Sequence, residues 1–584
     1  MKRFLVTFAA VVAAQIFLTG VGLFGAVVFT AALMGRAART AQVPDHAYLV
    51  QEIPTELLEY DPPQRLPIGR PLTTHTMILE NLERARLDER IAGVILKIDL
   101  PDLGWGKMEE IRERIHELRD AGKPVYAYAP IAFNRTLYLA SACDSIFVPP
   151  EGIIWFTGLI AERMYVKDLL EKVGIGVQVS RIKEYKSVPE MYERTDMSPE
   201  VRANATRVLS DVFEDLCATV ARDRNVGRAQ VDAWLETGQF DPPSAAQAGL
   251  IDGALVWEEL VQRLTGPSGA FASIEGRDYA GETDLPFGHR GTRVAVVHGQ
   301  GTITTGKSGW NPLFGLSMGE ETMVEALDAA AEDAGVQGIV LRLDTPGGLG
   351  LASERIGRAV ERAAARKPLV VSTADLNASG GYMVSYRCST IVAPGNAIVG
   401  SIGSFAIRPN LAGLMDKLGI DWDRVTVGPH ATLFSATVPM TEGEFSRFQQ
   451  VHRSSYERWI AGVARHRGMS VAQVDSLARG QIYTGRQALA AGLIDALGGL
   501  DVALDLLREQ MGVAGDEPLT VVHYPLPRSI WEELRSFDMP AVAAQVAAAL
   551  HLDNPLARPL EDSIALWGTL SRGEDELLLC EWRF

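Results

Sequence analysis

The sequence predicts an α/β protein made of one unit built twice, and three observations carry that prediction. Short β-branched runs alternate with helical stretches such as "MEEIRERIHELRDAGK" and "SERIGRAVERAAARK", whose apolar residues recur every three to four positions. Strand, helix, strand in repetition implies a parallel sheet with helices packed on it. Segments of the first half recur in the same order in the second, the signature of duplication. Between the halves, Thr265 to Gly291 is rich in Gly, Ser and Pro and reads as linker and loop.

Taken in chain order, the first element is apolar. From Phe4 to Met34 the only strongly polar residue is Gln15, and a run of about thirty such residues exceeds the roughly twenty that span a bilayer core. A cleaved signal peptide has an apolar core of only about 7–15 residues, so the run reads as an uncleaved transmembrane anchor in a lipid bilayer. Lys2 and Arg3 precede it and Arg36 and Arg39 follow it, which leaves its orientation open.

The repeat begins beyond the anchor. "AGVILKIDLP" (Ala92 to Pro101) lines up with "QGIVLRLDTP" (Gln337 to Pro346), and "KPVYAYA" (Lys123 to Ala129) with "KPLVVST" (Lys367 to Thr373). "YLASACDSIFVPP" echoes "YMVSYRCSTIVAPG", and "VKDLLEKVGI" (Val166 to Ile175) corresponds to "LAGLMDKLGI" (Leu411 to Ile420). A last shared segment closes with "AGLID" at Asp252 and again at Asp495. The expected organisation is an anchor (1–40), a first repeat (41–264), a linker (265–292), a second repeat (293–512) and a tail (513–584). In that tail "LTVVHYP" reads as a strand, and Met539 to Leu550 as a packed terminal helix.

Composition excludes some functions. A chain of 584 residues that is 47% hydrophobic can bury several cores, and a formal charge of −17 argues against nucleic-acid binding, which needs clustered Lys and Arg. Cys143, Cys217, Cys388 and Cys580 form neither a disulfide framework nor a zinc pattern, and the ten histidines show no ligand spacing, so neither metal nor cofactor is expected.

Chemistry is sought where the copies differ, because a duplicated scaffold keeps its packing residues in both. With Tyr138 and Tyr382 as anchor, Ser379 in "NASGGYMVS" falls opposite Arg135, and Gly380 and Gly381 opposite Thr136 and Leu137. Lys186 in "EYKSVPE" falls opposite Ala431. Glycines Gly347 and Gly348 in "DTPGGLG" are also confined to the second half. A serine hydroxyl becomes nucleophilic when a base takes its proton, and a lysine serves as that base once burial lowers its pKa. Backbone N–H groups at Gly347 and Gly380 could then hold the oxyanion of an acyl-transfer intermediate. Lys183 and Lys417 are rival bases, although Lys417 has a counterpart in Lys172 and so reads as a shared surface residue.

At "YKS", "DTPGG", "NASGGY" and "GSIG" the chain resembles the signal peptide peptidase A family in its long form, membrane-anchored Ser–Lys proteases with a duplicated ClpP/crotonase-like α/β fold. The resemblance spans roughly residues 45 to 510. It implies Ser379 as nucleophile, Lys186 as general base, Ser401 as the hydroxyl that positions the lysine, and Gly347 and Gly380 as oxyanion donors. It also implies a bowl-shaped homotetramer on the bacterial inner membrane, facing the periplasm and degrading released signal peptides. The chain departs from the family pattern at Asp344-Thr345, where a neutral residue and serine are usual, and at Asp375-Leu376-Asn377, which replaces a small, glycine-rich approach to the nucleophile. Two other readings are a crotonase-like enzyme acting on acyl-CoA and a non-catalytic membrane scaffold.

Overall fold

The computed structural model describes residues 42–61, 72–265, 269, 271–280, 291–311, 315–515 and 517–526. The apolar run Phe4 to Met34 and the stretch Met539 to Leu550 lie outside the described residues. Among the described residues no helix is long and apolar enough to cross a membrane.

Both repeats fall within one compact unit. In the first, six parallel strands stand in the order Ser273–Glu275, Ala47–Ile53, Ile91–Ile98, Val125–Tyr128, Ser145–Val148 and Gly253–Ala254. The second lays Leu519–Tyr524, Thr292–Gln300, Gly338–Thr345, Leu369–Ala378, Ile391–Ala393 and Ala496–Leu497 in the same order, these six again all parallel, and extends beyond Leu369–Ala378 through Ile398–Gly400 to the antiparallel Ile482–Thr484. Strands buried on both faces read as continuous apolar runs rather than alternating ones, and Val294 to Val297 have no exposed surface. The helices bury one stripe each: Met108, Ile111, Ile115 and Leu118 in Trp105–Asp120, and Ala352, Ile356, Ala359, Val360 and Ala363 in Gly350–Ala364.

One edge strand of each sheet differs from expectation in its origin. Ser273–Glu275 comes from the segment read as linker, where a three-residue strand is masked by the surrounding Gly, Ser and Pro. Its counterpart Leu519–Tyr524 comes from the tail, as "LTVVHYP" suggested.

The copies part company in the strand that leads to the candidate nucleophile. In the first repeat it breaks into Val125–Tyr128 and Ile131–Ala132, with Pro130, which has no N–H for a ladder, in the gap. In the second it runs unbroken from Leu369 to Ala378 but carries a bulge. Leu343 pairs with Thr373 and Thr345 with Asn377, so Asp344 alone faces residues 374–376. The repeats are also stitched together: Gly176–Arg181 of the first pairs antiparallel with Phe405–Asn410 of the second.

Candidate active site

Ser379 stands at the junction of the strand Leu369–Ala378 and the short helix Gly380–Ser385. Its backbone has φ 55° and ψ −113°, a conformation L-residues rarely adopt and one that is held only when the surroundings over-determine it. The surroundings do so here. Ser379 N–H donates to Gly400 O at 2.8 Å, and buried Asn377 donates to Thr373 Oγ1 at 3.2 Å and Ser385 Oγ at 3.1 Å, tying strand to helix. Tyr382, wholly buried, anchors that helix by donating to Leu493 O at 2.8 Å.

The glycines flanking the turn are there for close approach. A Cβ on Gly380 would collide with Ser353 Oγ and come within 3.0 Å of Gly348 N. On Gly381 it would fall 2.7 Å from Thr345 Cγ2. The turn Thr345 to Gly348 can therefore lie directly against the serine.

Lys186 follows the cross-repeat strand Gly176–Arg181, and its segment is held by second-repeat backbone. Ile182 N–H donates to Ser404 O at 3.1 Å, and Tyr185 N–H to Arg479 O at 3.1 Å. Gly480, at φ 89°, leaves no room for a Cβ beside the Lys186 backbone. So placed, Lys186 Nζ donates to Ser379 Oγ at 2.9 Å, to Ser401 Oγ at 2.9 Å and to Ser401 O at 3.1 Å. Ser401 is fixed by its own strained turn, φ 52°, and by donating its N–H to Gln481 O at 2.6 Å. Lys186 is 3% exposed, and burial alone pulls its ammonium down from the ordinary lysine value to about 7. Lys183 instead lies 3.5 Å from Asp475 and Lys417 donates to Lys172 O on an exposed helix, so neither rival reaches the serine.

Of the five residues singled out from the sequence, the structure thus gathers Ser379, Lys186, Ser401 and Gly380. Gly347 is adjacent, but its N–H donates to Thr345 Oγ1 at 3.0 Å instead of facing an open site. Its contribution is the turn, at φ 95°. Among the described residues the N–H groups of Gly348 and Gly380 have no acceptor, and the two lie side by side. Sequence reasoning passed over Gly348, because two adjacent glycines do not reveal which N–H the preceding threonine captures. It also passed over Gly480, whose role is close packing against a segment almost three hundred residues earlier.

Residues 117–269 and 361–514 each match the profile described as "Peptidase family S49". The chain is 30% identical to "Serine protease SPPA, chloroplastic" of Arabidopsis thaliana, over 78% of this chain and 68% of that one. It is 31% identical to "Protease 4" of Haemophilus influenzae, over 75% and 73% of the two chains. It is 30% identical to "Protease 4" of Salmonella typhi, over 73% and 70%.

Proposed function

The chain belongs to peptidase family S49, and on that premise we propose that it hydrolyses peptide bonds with a Ser379–Lys186 dyad split between its two repeats. The observation that carries the reading is the buried lysine amine 2.9 Å from the serine hydroxyl, held near neutrality by burial. In the proposed cycle neutral Lys186 takes the Ser379 proton as Oγ attacks the peptide carbonyl. The N–H groups of Gly380 and Gly348 receive the oxyanion, each worth about 3 kcal/mol in favourable cases. The Lys186 ammonium then protonates the leaving amine, and a water deprotonated by the same lysine hydrolyses the acyl-enzyme. Ser401 orients the amine throughout. Relative to the expectation from sequence, the second oxyanion donor moves one residue, from Gly347 to Gly348.

The proposed substrates are released signal peptides and similar unfolded apolar segments. Leu349 and Leu351, 53% and 62% exposed, offer apolar surface immediately after the oxyanion turn. We further propose that Phe4 to Met34 anchors the chain in the bacterial inner membrane with the catalytic part in the periplasm, and that the protein works as a homotetramer. Val425, Val427 and Phe434 are 97%, 92% and 92% exposed, apolar surface that monomeric proteins rarely leave bare and that a further copy would cover. The working domain scheme keeps repeats at 41–264 and 293–512, each taking an edge strand from the linker (265–292) or tail (513–584) that follows. The ClpP/crotonase-like assignment of each repeat is part of the same proposal.

The test is direct. Ser379→Ala and Lys186→Ala are each expected to abolish cleavage of an apolar fluorogenic peptide, and Ser379→Ala to abolish labelling by a fluorophosphonate, while circular dichroism stays that of wild type. Undiminished turnover in either folded variant rejects the dyad.

A further inference from the structure

Asp375 lies within the strand bulge that leads to the candidate nucleophile and Asp344 faces it from the neighbouring strand; both, read from the sequence as departures from the family pattern, are answered from the first repeat. The segment "GWGK", Gly104 to Lys107, opens the sixteen-residue helix Trp105–Asp120. That helix has no side-chain cap of its own. Asp375 supplies one across the repeat boundary, accepting from Gly104 N–H at 3.0 Å and Lys107 N–H at 2.8 Å. A carboxylate there satisfies two orphan donors and sits at the positive end of the helix dipole. Both glycines are needed for this. A Cβ on Gly104 would occupy the space of the Asp375 carboxylate, and one on Gly106 would run into Ala374 O, a backbone atom of the bulge.

The Lys107 side chain completes the contact. It is 4% exposed, and Nζ lies 2.6 Å from Asp344, 3.6 Å from Glu59 and 3.8 Å from Asp375. The exchange is reciprocal. Arg342 of the second repeat is wholly buried, 2.8 Å from Glu59 and bonded to Glu110, both of the first repeat, with His75 2.9 Å from Glu110. Self-comparison contains part of the signal: Lys107 falls opposite Ala352 and Asp375 opposite Ile131, so these two occur in one copy only, whereas Asp344 has a counterpart in Asp99.

Resting on the Ser–Lys reading, we infer that Lys107, together with the N-terminus of its helix, is a positioning residue for the reaction. It holds Asp344 and Asp375 together and so fixes the oxyanion turn, three to four residues beyond the first, against Ser379, four residues beyond the second. The first repeat thereby serves the reaction twice, once with the base and once with this clamp. Without the cation, two adjacent and largely buried carboxylates repel and draw water, and the bulge is where the strand can yield.

The experiment uses the full chain, with kcat and KM for an apolar fluorogenic peptide and both the rate and the stoichiometry of fluorophosphonate labelling. Lys107→Met is expected to lower kcat on the order of 10²-fold, the size of effect a misplacement of about 1 Å produces. KM should stay within about twofold, since uniform binding is untouched. Labelling should be slower yet still reach one per chain, and the pH midpoint of kcat/KM should not move, because Lys186 is not altered. Lys107→Arg, which keeps the cation, should recover part of the rate. Wild-type kcat in Lys107→Met overturns the inference, as does a loss accounted for by a smaller labelled fraction, which is a folding defect. If Lys107→Met does not fold, Gly106→Ala decides: it keeps every charge but pushes on Ala374 O, and wild-type kcat there overturns the inference equally. Absence of labelling in wild type would instead defeat the dyad itself, and the clamp with it.

Discussion

The two repeats share the same six-strand order and a matching helix after the third of those strands, yet only the second makes a turn that presents a hydroxyl. In the first, the strand stops at Tyr128, ahead of Pro130, and the helix Asn134–Ala140 starts early enough to contain Arg135, the counterpart of Ser379. Arg135 is an ordinary helical residue paired with Asp102 at 3.0 Å. In the second, the strand continues through a bulge to Ala378, and Ser379 stands at the cap with φ 55°. The difference teaches that whether this turn presents a hydroxyl is set by how the preceding strand ends, since the same scaffold carries either version. It also teaches that duplication divided the labour: one copy kept the elbow and the open N–H groups, while the other supplies buried lysines to it.

The largest effect that would break this comparison comes from mirrored substitutions. Ser379→Ala is expected to reduce kcat/KM by about 10⁴-fold or more, the scale for removing a nucleophile, while Arg135→Ala leaves peptide cleavage at the wild-type rate. A substantial loss in Arg135→Ala would mean that the first repeat's turn is not idle.

Next in size is a stability effect with the opposite sign from most core substitutions. The folded pKa of Lys186 is depressed, to about 7 from 10.5, so its contribution is fully present above the unfolded value and is lost as pH falls toward the folded one. Below about pH 7 the folded state carries a buried charge at a disadvantage on the order of 5 kcal/mol, since each tenfold loss of proton affinity on folding corresponds to about 1.4 kcal/mol. Lys186→Met, inactive, is therefore expected to melt higher than wild type at pH 7, with the gap closing as pH rises toward 10.5. Equal melting temperatures across that window would show that the amine is solvated.

The oxyanion turn gives a smaller, purely kinetic effect. Gly348→Ala places a methyl against Ile303 backbone at φ 159°, moving one of the two open N–H groups, and kcat should fall about 10²–10³-fold as for loss of an oxyanion donor. Its counterpart in the first repeat is Leu103, a core side chain 1% exposed, where Leu103→Ala should instead lower the melting temperature, by about 2–5 kcal/mol of stability.

How much of this was legible in the sequence follows from the range of the forces involved. The parallel sheets and the pair Ser379 and Lys186 are readable because apolar periodicity is local and the copies can be compared, whereas Ser401 is named only by the family resemblance. The donor assignment is not readable. Whether Gly347 or Gly348 has an open N–H depends on Thr345 Oγ1 reaching back two residues, a rotamer choice that composition does not encode. The charged residues Asp344 and Asp375 read as departures for a related reason: their partner Lys107 lies more than two hundred positions away, and only the fold makes them neighbours. The strand Ser273–Glu275 was hidden because its ladder partner, rather than its own sequence, makes it a strand.

The pH profile gives the finest test of the division between copies. In the proposed cycle neutral Lys186 is the active form, so kcat/KM should rise about tenfold per pH unit below the midpoint near pH 7 and level off above it. That limb belongs to one amine from the first repeat, sensed by a hydroxyl in the second. Ser401 Oγ accepts from the amine at 2.9 Å, and a hydrogen bond to a charged donor is stronger than one to the neutral form. Ser401→Ala therefore removes stabilisation from the ammonium, and the midpoint should move to lower pH by less than about one unit while kcat falls. A midpoint that stays put in Ser401→Ala, or that moves upward, would mean that the limb reports some other group and that the lysine's environment is set without the second repeat's hydroxyl.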